Sequence, residues 1–184
     1  MFLGALFGVC AALAGAHSPR RRSDLRQYVA ADGKLQAPLV YRDAQDGFAG
    51  VSGEVWTIEA GGHFSIARFL NEKANAPYWE RDLTLDELRA LAKMLATNHL
   101  LMLPNRLGRD ELGREEKVNP HVLTLAFGTM KSELVLQAGE SGEGEQPSEN
   151  DPKAAAWRDF IGVVRALRVL AKDRPQAGPG GAVK

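Results

Sequence analysis

The sequence predicts an α+β fold: a small antiparallel sheet of about five strands with two helices packed on one face. Three observations lead there. Two pairs of short alternating segments, 54–59 with 63–70 and 121–127 with 132–138, each flank a glycine-containing turn. Two longer segments, opening at Thr84 and at Asp151, carry apolar residues at helical spacing. No strand–helix–strand unit repeats along the chain, which argues against a parallel sheet.

The elements follow in order. Leu39-Val40-Tyr41, after Pro38, reads as a first strand. Val55, Thr57 and Glu59 then alternate with Trp56 and Ile58, and Phe64, Ile66 and Arg68 alternate with Ser65, Ala67 and Phe69. Such β-branched and aromatic alternation suits a half-buried pleated surface. Gly61 and Gly62 supply the positive φ that the tight turn between the two runs needs. A polar connection, 71–82, leads to "LTLDELRALAKMLATNHL". Here Thr84 and Glu87 form a capping box, with Leu83 and Leu88 placed as a hydrophobic staple. Leu88, Leu91, Ala92 and Leu95 make one apolar stripe, and the helix is expected to fail near Asn98.

Residues 104–120 read as a long, charged, exposed loop, a kind of segment that often carries function. In the second hairpin Leu123, Leu125 and Phe127 share one face, and Leu134 and Leu136 continue the pattern after the turn. Residues 139–151 are acidic, lack Lys and Arg, and are expected to be mobile. Asp151 as N-cap and Pro152 as first helical residue open the last helix. Its apolar face is Trp157, Phe160, Ile161, Val164, Leu167 and Ala171. The expected organisation is a signal peptide over 1–16, a polar and basic linker over 17–37, one domain over 38–174 and a disordered tail over 175–184.

The N-terminal expectation rests on the apolar run Phe2 to Ala14 followed by Ala14-Gly15-Ala16, which has the pattern of a cleavage site. The run is shorter than the roughly 20 residues that span a bilayer. Export to the periplasm or the exterior follows. The competing reading is an uncleaved, membrane-associated N-terminus, because no Lys or Arg precedes the run and Arg20, Arg21 and Arg22 follow it closely. Cys10 is the only cysteine, so a chain cut after Ala16 has neither a disulfide nor a thiolate.

Twenty-three basic residues balance twenty-three acidic ones, so no overall basic field invites nucleic acid. His17, His63, His99 and His121 share no metal-ligand spacing, and neither Ser52 nor Ser141 completes a nucleophile elbow. The expectation is a non-enzymatic protein with no catalytic residue, metal or cofactor. Tyr78 and Trp79 sit in a polar connection, where an aromatic pair either faces a partner or packs over a sheet edge.

"VYRDAQDGFAGVSGEVWTI", residues 40–58, resembles the opening of emfourin-like proteins, small bacterial inhibitors of thermolysin-like (M4) zinc metallopeptidases. The order of elements over 39–172 is similar too. The chain departs from the family by Asp46 in place of Gly and by longer segments at 71–82, 104–120 and 139–151. The resemblance implies an exported binding module that acts as a metallopeptidase inhibitor. It points to Gly47, Phe48, Ala49 and Gly50 as contacts, with both glycines equally readable as backbone hinges. The loop over 104–120, with Leu107, is the second candidate for entering a cleft. The alternative is a cell-envelope interaction protein whose arginines between 20 and 26 touch anionic lipid or polymer, so membrane association stays open.

Overall fold

A computed structural model of the chain describes residues 24–108, 119–145 and 147–175. The fold is α+β. Strands β1 (Leu39–Gln45), β2 (Ser52–Ile58) and β3 (His63–Leu70) are followed by the short β4 (Lys73–Ala74) and β5 (Trp79–Asp82). Helix α1 (Leu85–Thr97), β6 (Arg106–Gly108), β7 (His121–Phe127), β8 (Met130–Leu136) and α2 (Ala154–Leu170) complete it. The sheet has eight strands in the order β4-β3-β2-β1-β7-β8-β6, with β5 also on the outer edge of β3. β1 is therefore central, antiparallel to β2 and to β7.

The expectation of about five antiparallel strands is corrected on two counts. There are eight, and the sheet is mixed, because β6 runs parallel to β8. The added strands β4, β5 and β6 are two to four residues long. Runs that short show no period in a sequence. They exist because β3 and β8 present unpaired backbone groups that a passing segment satisfies.

Direct cross-strand neighbours share a face, so the register defines the core. Leu39 and Tyr41 pair with Ile58 and Trp56 on β2, and with Phe127 and Leu125 on β7. Ile58 and Trp56 pair in turn with Phe64 and Ile66. All of these are 3% exposed or less. They belong to one buried cluster with Leu88, Leu91 and Leu95 of α1 and with Trp157, Phe160, Ile161, Val164 and Leu167 of α2. Each such side chain contributes about 1.5–3 kcal/mol of transfer free energy.

The capping box of α1 is formed as its sequence requires. Thr84 accepts from the Glu87 N–H, and the Glu87 carboxylate accepts from the Thr84 N–H at 2.9 Å. Arg81 grips the same carboxylate with both guanidinium nitrogens, at 2.8 and 2.9 Å. Arg81 first, and the Thr84 N–H after it, pull the Glu87 carboxyl down from 4.5 to about 2. Asn98 ends the helix.

Three expectations change. Residues 24–37 are not linker: Leu25–Gln27 form a 3₁₀ turn, Val29 bridges to Leu35, and Leu35 is 3% exposed. The Tyr28 ring packs tilted against Phe127, 5.4 Å between centroids, an apolar anchor that a polar composition hides. The acidic segment after β8 is tied down. The Trp157 indole N–H donates to the Gly142 carbonyl at 2.8 Å, and Arg168 pairs with Glu143. Finally, α2 starts at Ala154 rather than at Pro152. The Asp151 carboxylate instead accepts from the Lys153 N–H at 2.7 Å and closes a turn ahead of the helix. Among the described residues no helix is long and apolar enough to cross a membrane. The signal-peptide region, Cys10, the arginines at 20–22 and the tail beyond Pro175 lie outside the described residues.

Candidate binding site at one end of the sheet

β1 and β2 are joined by six residues, 46–51, of which Phe48 and Ala49 are exposed. The connection closes on itself where the Gly50 N–H donates to the Gly47 carbonyl at 2.9 Å. Gly47 also donates its N–H to the Asp46 carboxylate. On one side the Asp46 N–H donates to the Pro120 carbonyl, and the Gln45 amide donates to the carbonyls of Asp46 and Asn119. On the other side the Asn71 N–H donates to the Val51 carbonyl at 2.8 Å. Gly50 has a φ of +104°, and a Cβ there would lie 1.8 Å from Asn71 Oδ1. The loop base is thus held between two neighbours, while Phe48 at the tip is fully exposed, at 109%. Ala49 is exposed beside it. Leu70, at the adjoining end of β3, is 51% exposed.

A polar cluster sits under this end. His121 Nε2 lies 2.6 Å from Asp43 Oδ1, and its Nδ1 lies 2.6 Å from the Glu140 carbonyl oxygen. Both neighbours are acceptors, so both ring nitrogens carry protons and the ring is an imidazolium. The Asp43 hydrogen bond raises the imidazole above its ordinary 6.5, against the opposing effect of burial. Burial pushes the Asp43 carboxyl up, but His121, Tyr41 and Arg168 outweigh it and hold the group below 3.8. Burial, then the charge of Asp43, drives the Tyr41 phenol far above 10.0. Neither His121 nitrogen has a free lone pair, so this arrangement cannot take a proton from a substrate. What it does is pin β1 to the segment that follows β8.

The other sequence candidates are elsewhere. Leu107 is buried, 1% exposed, because β6 pairs it with Leu134 in the core. That overturns its placement on an exposed loop. Residues 109–118 of that loop lie outside the described residues. Trp79 pairs with Ile66 and sets its ring edge-on 5.2 Å from Phe64, so it closes the sheet edge. Tyr78 is 36% exposed, yet its hydroxyl donates to Glu54 at 2.7 Å. Burial and then Glu54 push that phenol up to about 12. Glu54 also accepts from Trp56 and Arg174, so this cluster closes the sheet surface.

The structure therefore brings Gly47, Phe48, Ala49 and Gly50 together at one tip and separates them from Leu107 and Trp79. Sequence reading missed the His121–Asp43 pair. The sequence reading put His121 on a strand but ended the first strand at Tyr41, short of Asp43, and their meeting depends on the pairing of β1 with β7. Among the described residues no group of three or more His, Cys, Asp or Glu side chains is arranged to hold a metal ion. Comparison with protein-family models finds no match to this chain, and comparison with curated proteins finds none.

Proposed function

We propose that this chain is an exported, non-enzymatic binding module that contacts its partner through the loop tip at Phe48. One observation carries the reading: a fully exposed phenylalanine on a loop whose base is hydrogen-bonded on both sides. Exposing a large aromatic ring to water is unfavourable unless a partner covers it, and rigid aromatic anchors are enriched among interface hot spots. A loop already held in shape loses little entropy on binding. Leu70, exposed at the same end of the sheet opposite Ser52, offers a second apolar side chain. In this reading both helices cover one face of the sheet, supported by the single buried cluster they share with it.

The resemblance of residues 40–58 to emfourin-like proteins names the partner to try, a thermolysin-like metallopeptidase. The test is a titration of residues 17–184 into such a peptidase with a fluorogenic peptide substrate. Stoichiometric loss of activity is expected, and Phe48→Ala is expected to weaken it by about 2 kcal/mol, roughly thirtyfold. Full activity at saturating, uncut protein would remove the peptidase as partner. Undiminished inhibition by Phe48→Ala would remove the loop from the contact.

A further inference from the structure

We propose that the sheet face opposite the core holds a carboxylate-binding site centred on Arg42. Tyr41 points into the core, so Arg42 points the other way, between Val55 on β2 and Thr124 on β7. Its guanidinium stacks 4.1 Å from the Phe69 ring centroid. Gly53 lies between β1 and Phe69 in register, and it carries no side chain to block that approach. The ring face attracts the guanidinium without using its N–H donors.

Arg42 borders a shallow cavity of about 340 Å³, whose walls include Ala44, Val51 and Val122. Four charged residues line it: Arg42, Lys131, Asp46 and Glu133. Three are engaged. Lys131 Nζ lies 2.8 Å from Glu133, and Asp46 accepts from the Gly47 N–H. Among the described residues no hydrogen-bond acceptor or carboxylate pairs with the Arg42 guanidinium, which lies over the Phe69 ring. Thr124, its cross-strand neighbour, places a hydroxyl on the same wall.

A mostly apolar cavity with convergent donors is the common form of a small-ligand site, and 340 Å³ is near the lower end of the usual range. The guanidinium edge fits a carboxylate through two parallel hydrogen bonds. Asp46 and Glu133 at the cavity repel a dianion more strongly than a monoanion, which disfavours phosphate. The ligand class is thus a monocarboxylate with a short apolar body. It comes either as a free small acid or as an acidic side chain of a protein. The site does not depend on the peptidase reading.

The test is an amide NMR titration of the ¹⁵N-labelled protein, residues 17–184, following Thr124 and Ala44. The probes are butyrate, its neutral analogue butyramide, and a blocked glutamate dipeptide. At least one of the two acids is expected to saturate with a dissociation constant on the order of 1 mM, while butyramide does not. Arg42→Gln is expected to weaken it about tenfold or more, and Arg42→Lys by less, because lysine keeps the charge but loses the fork. The tighter acid identifies the source, free or side-chain. Three results would overturn the site: neither acid saturating below roughly 50 mM, butyramide matching them, or Arg42→Gln binding unchanged. Superimposable spectra away from the cavity show that the variants are folded.

Discussion

Two glycine-rich connections lie within twenty-one residues of each other, and they serve opposite purposes. The turn at 59–62 joins β2 to β3, and the loop at 46–51 joins β1 to β2 at the other end of the sheet. In the first, Gly61 and Gly62 both have φ of +105°, and Gly62 is buried under Leu88 with its carbonyl accepting from the Leu83 N–H. No large apolar side chain projects outward there. In the second, a single positive-φ glycine, Gly50, presses against Asn71 while Phe48 stands free in solvent. Similar composition thus yields a scaffold corner in one place and a presented side chain in the other. The difference lies in what each backbone is packed against.

Substitutions sharpen that contrast. Gly62→Ala should have the largest effect. Its φ is strained for any side chain, and the new Cβ would lie 2.9 Å from Leu88 Cδ1. A loss of about 2–3 kcal/mol is expected, read as a lower urea midpoint. A near-neutral result would mean that the turn and α1 are not packed together as described.

His121→Ala comes next, at about 2 kcal/mol, because it removes two charge-assisted hydrogen bonds that brace the loop end. This effect depends on pH, with a definite sign. The imidazole is raised in the folded state, so its contribution is complete below its ordinary 6.5 and is lost as pH rises through the raised value. The Asp43 carboxyl is lowered, so its contribution is complete above 3.8 and is lost as pH falls through the lowered value. The stability gap between wild type and variant should be widest between those two ordinary values and shrink on the alkaline side. A gap that grows with alkaline pH would contradict an imidazolium at this position.

Gly61→Ala meets no neighbour within 4 Å, so only the backbone term remains, about 1 kcal/mol. Comparing it with Gly62→Ala separates conformational strain from packing. Phe48→Ala is last, within about 0.5 kcal/mol of wild type by thermal or urea unfolding, since the ring contacts no core. A larger loss would show that Phe48 packs somewhere in solution and is no free tip.

Much of the frame was legible because local physics dictates it. Thr84 and Glu87 announced the start of α1, and the alternation around Trp56, Phe64 and Leu125 announced the core face. What escaped was short or non-local. β4 and β5 are too short to show a period and pair with the edge of β3, β6 pairs with the distant β8, and Leu107 looked like part of a charged loop until β8 covered it. The acidic segment after β8 looked unable to bury anything, yet Trp157 and Arg168 reach it from α2. Of the site, the Phe48 motif was visible as residues. The freedom of its ring, the clamp of His121 on Asp43 and the unpaired fork of Arg42 were not.

By itself the sequence determined where both helices and the two long hairpins lie, where α1 begins, and many of the side chains that form the core. Those choices rest on period, capping and glycine freedom, interactions that reach only a few residues along the chain. Only the tertiary structure decided which glycine connection presents a side chain and that the Arg42 guanidinium lies over a ring with no carboxylate paired to it. Both depend on strands from distant parts of the sequence lying side by side, where a neighbour's carbonyl or carboxylate is either within reach or absent.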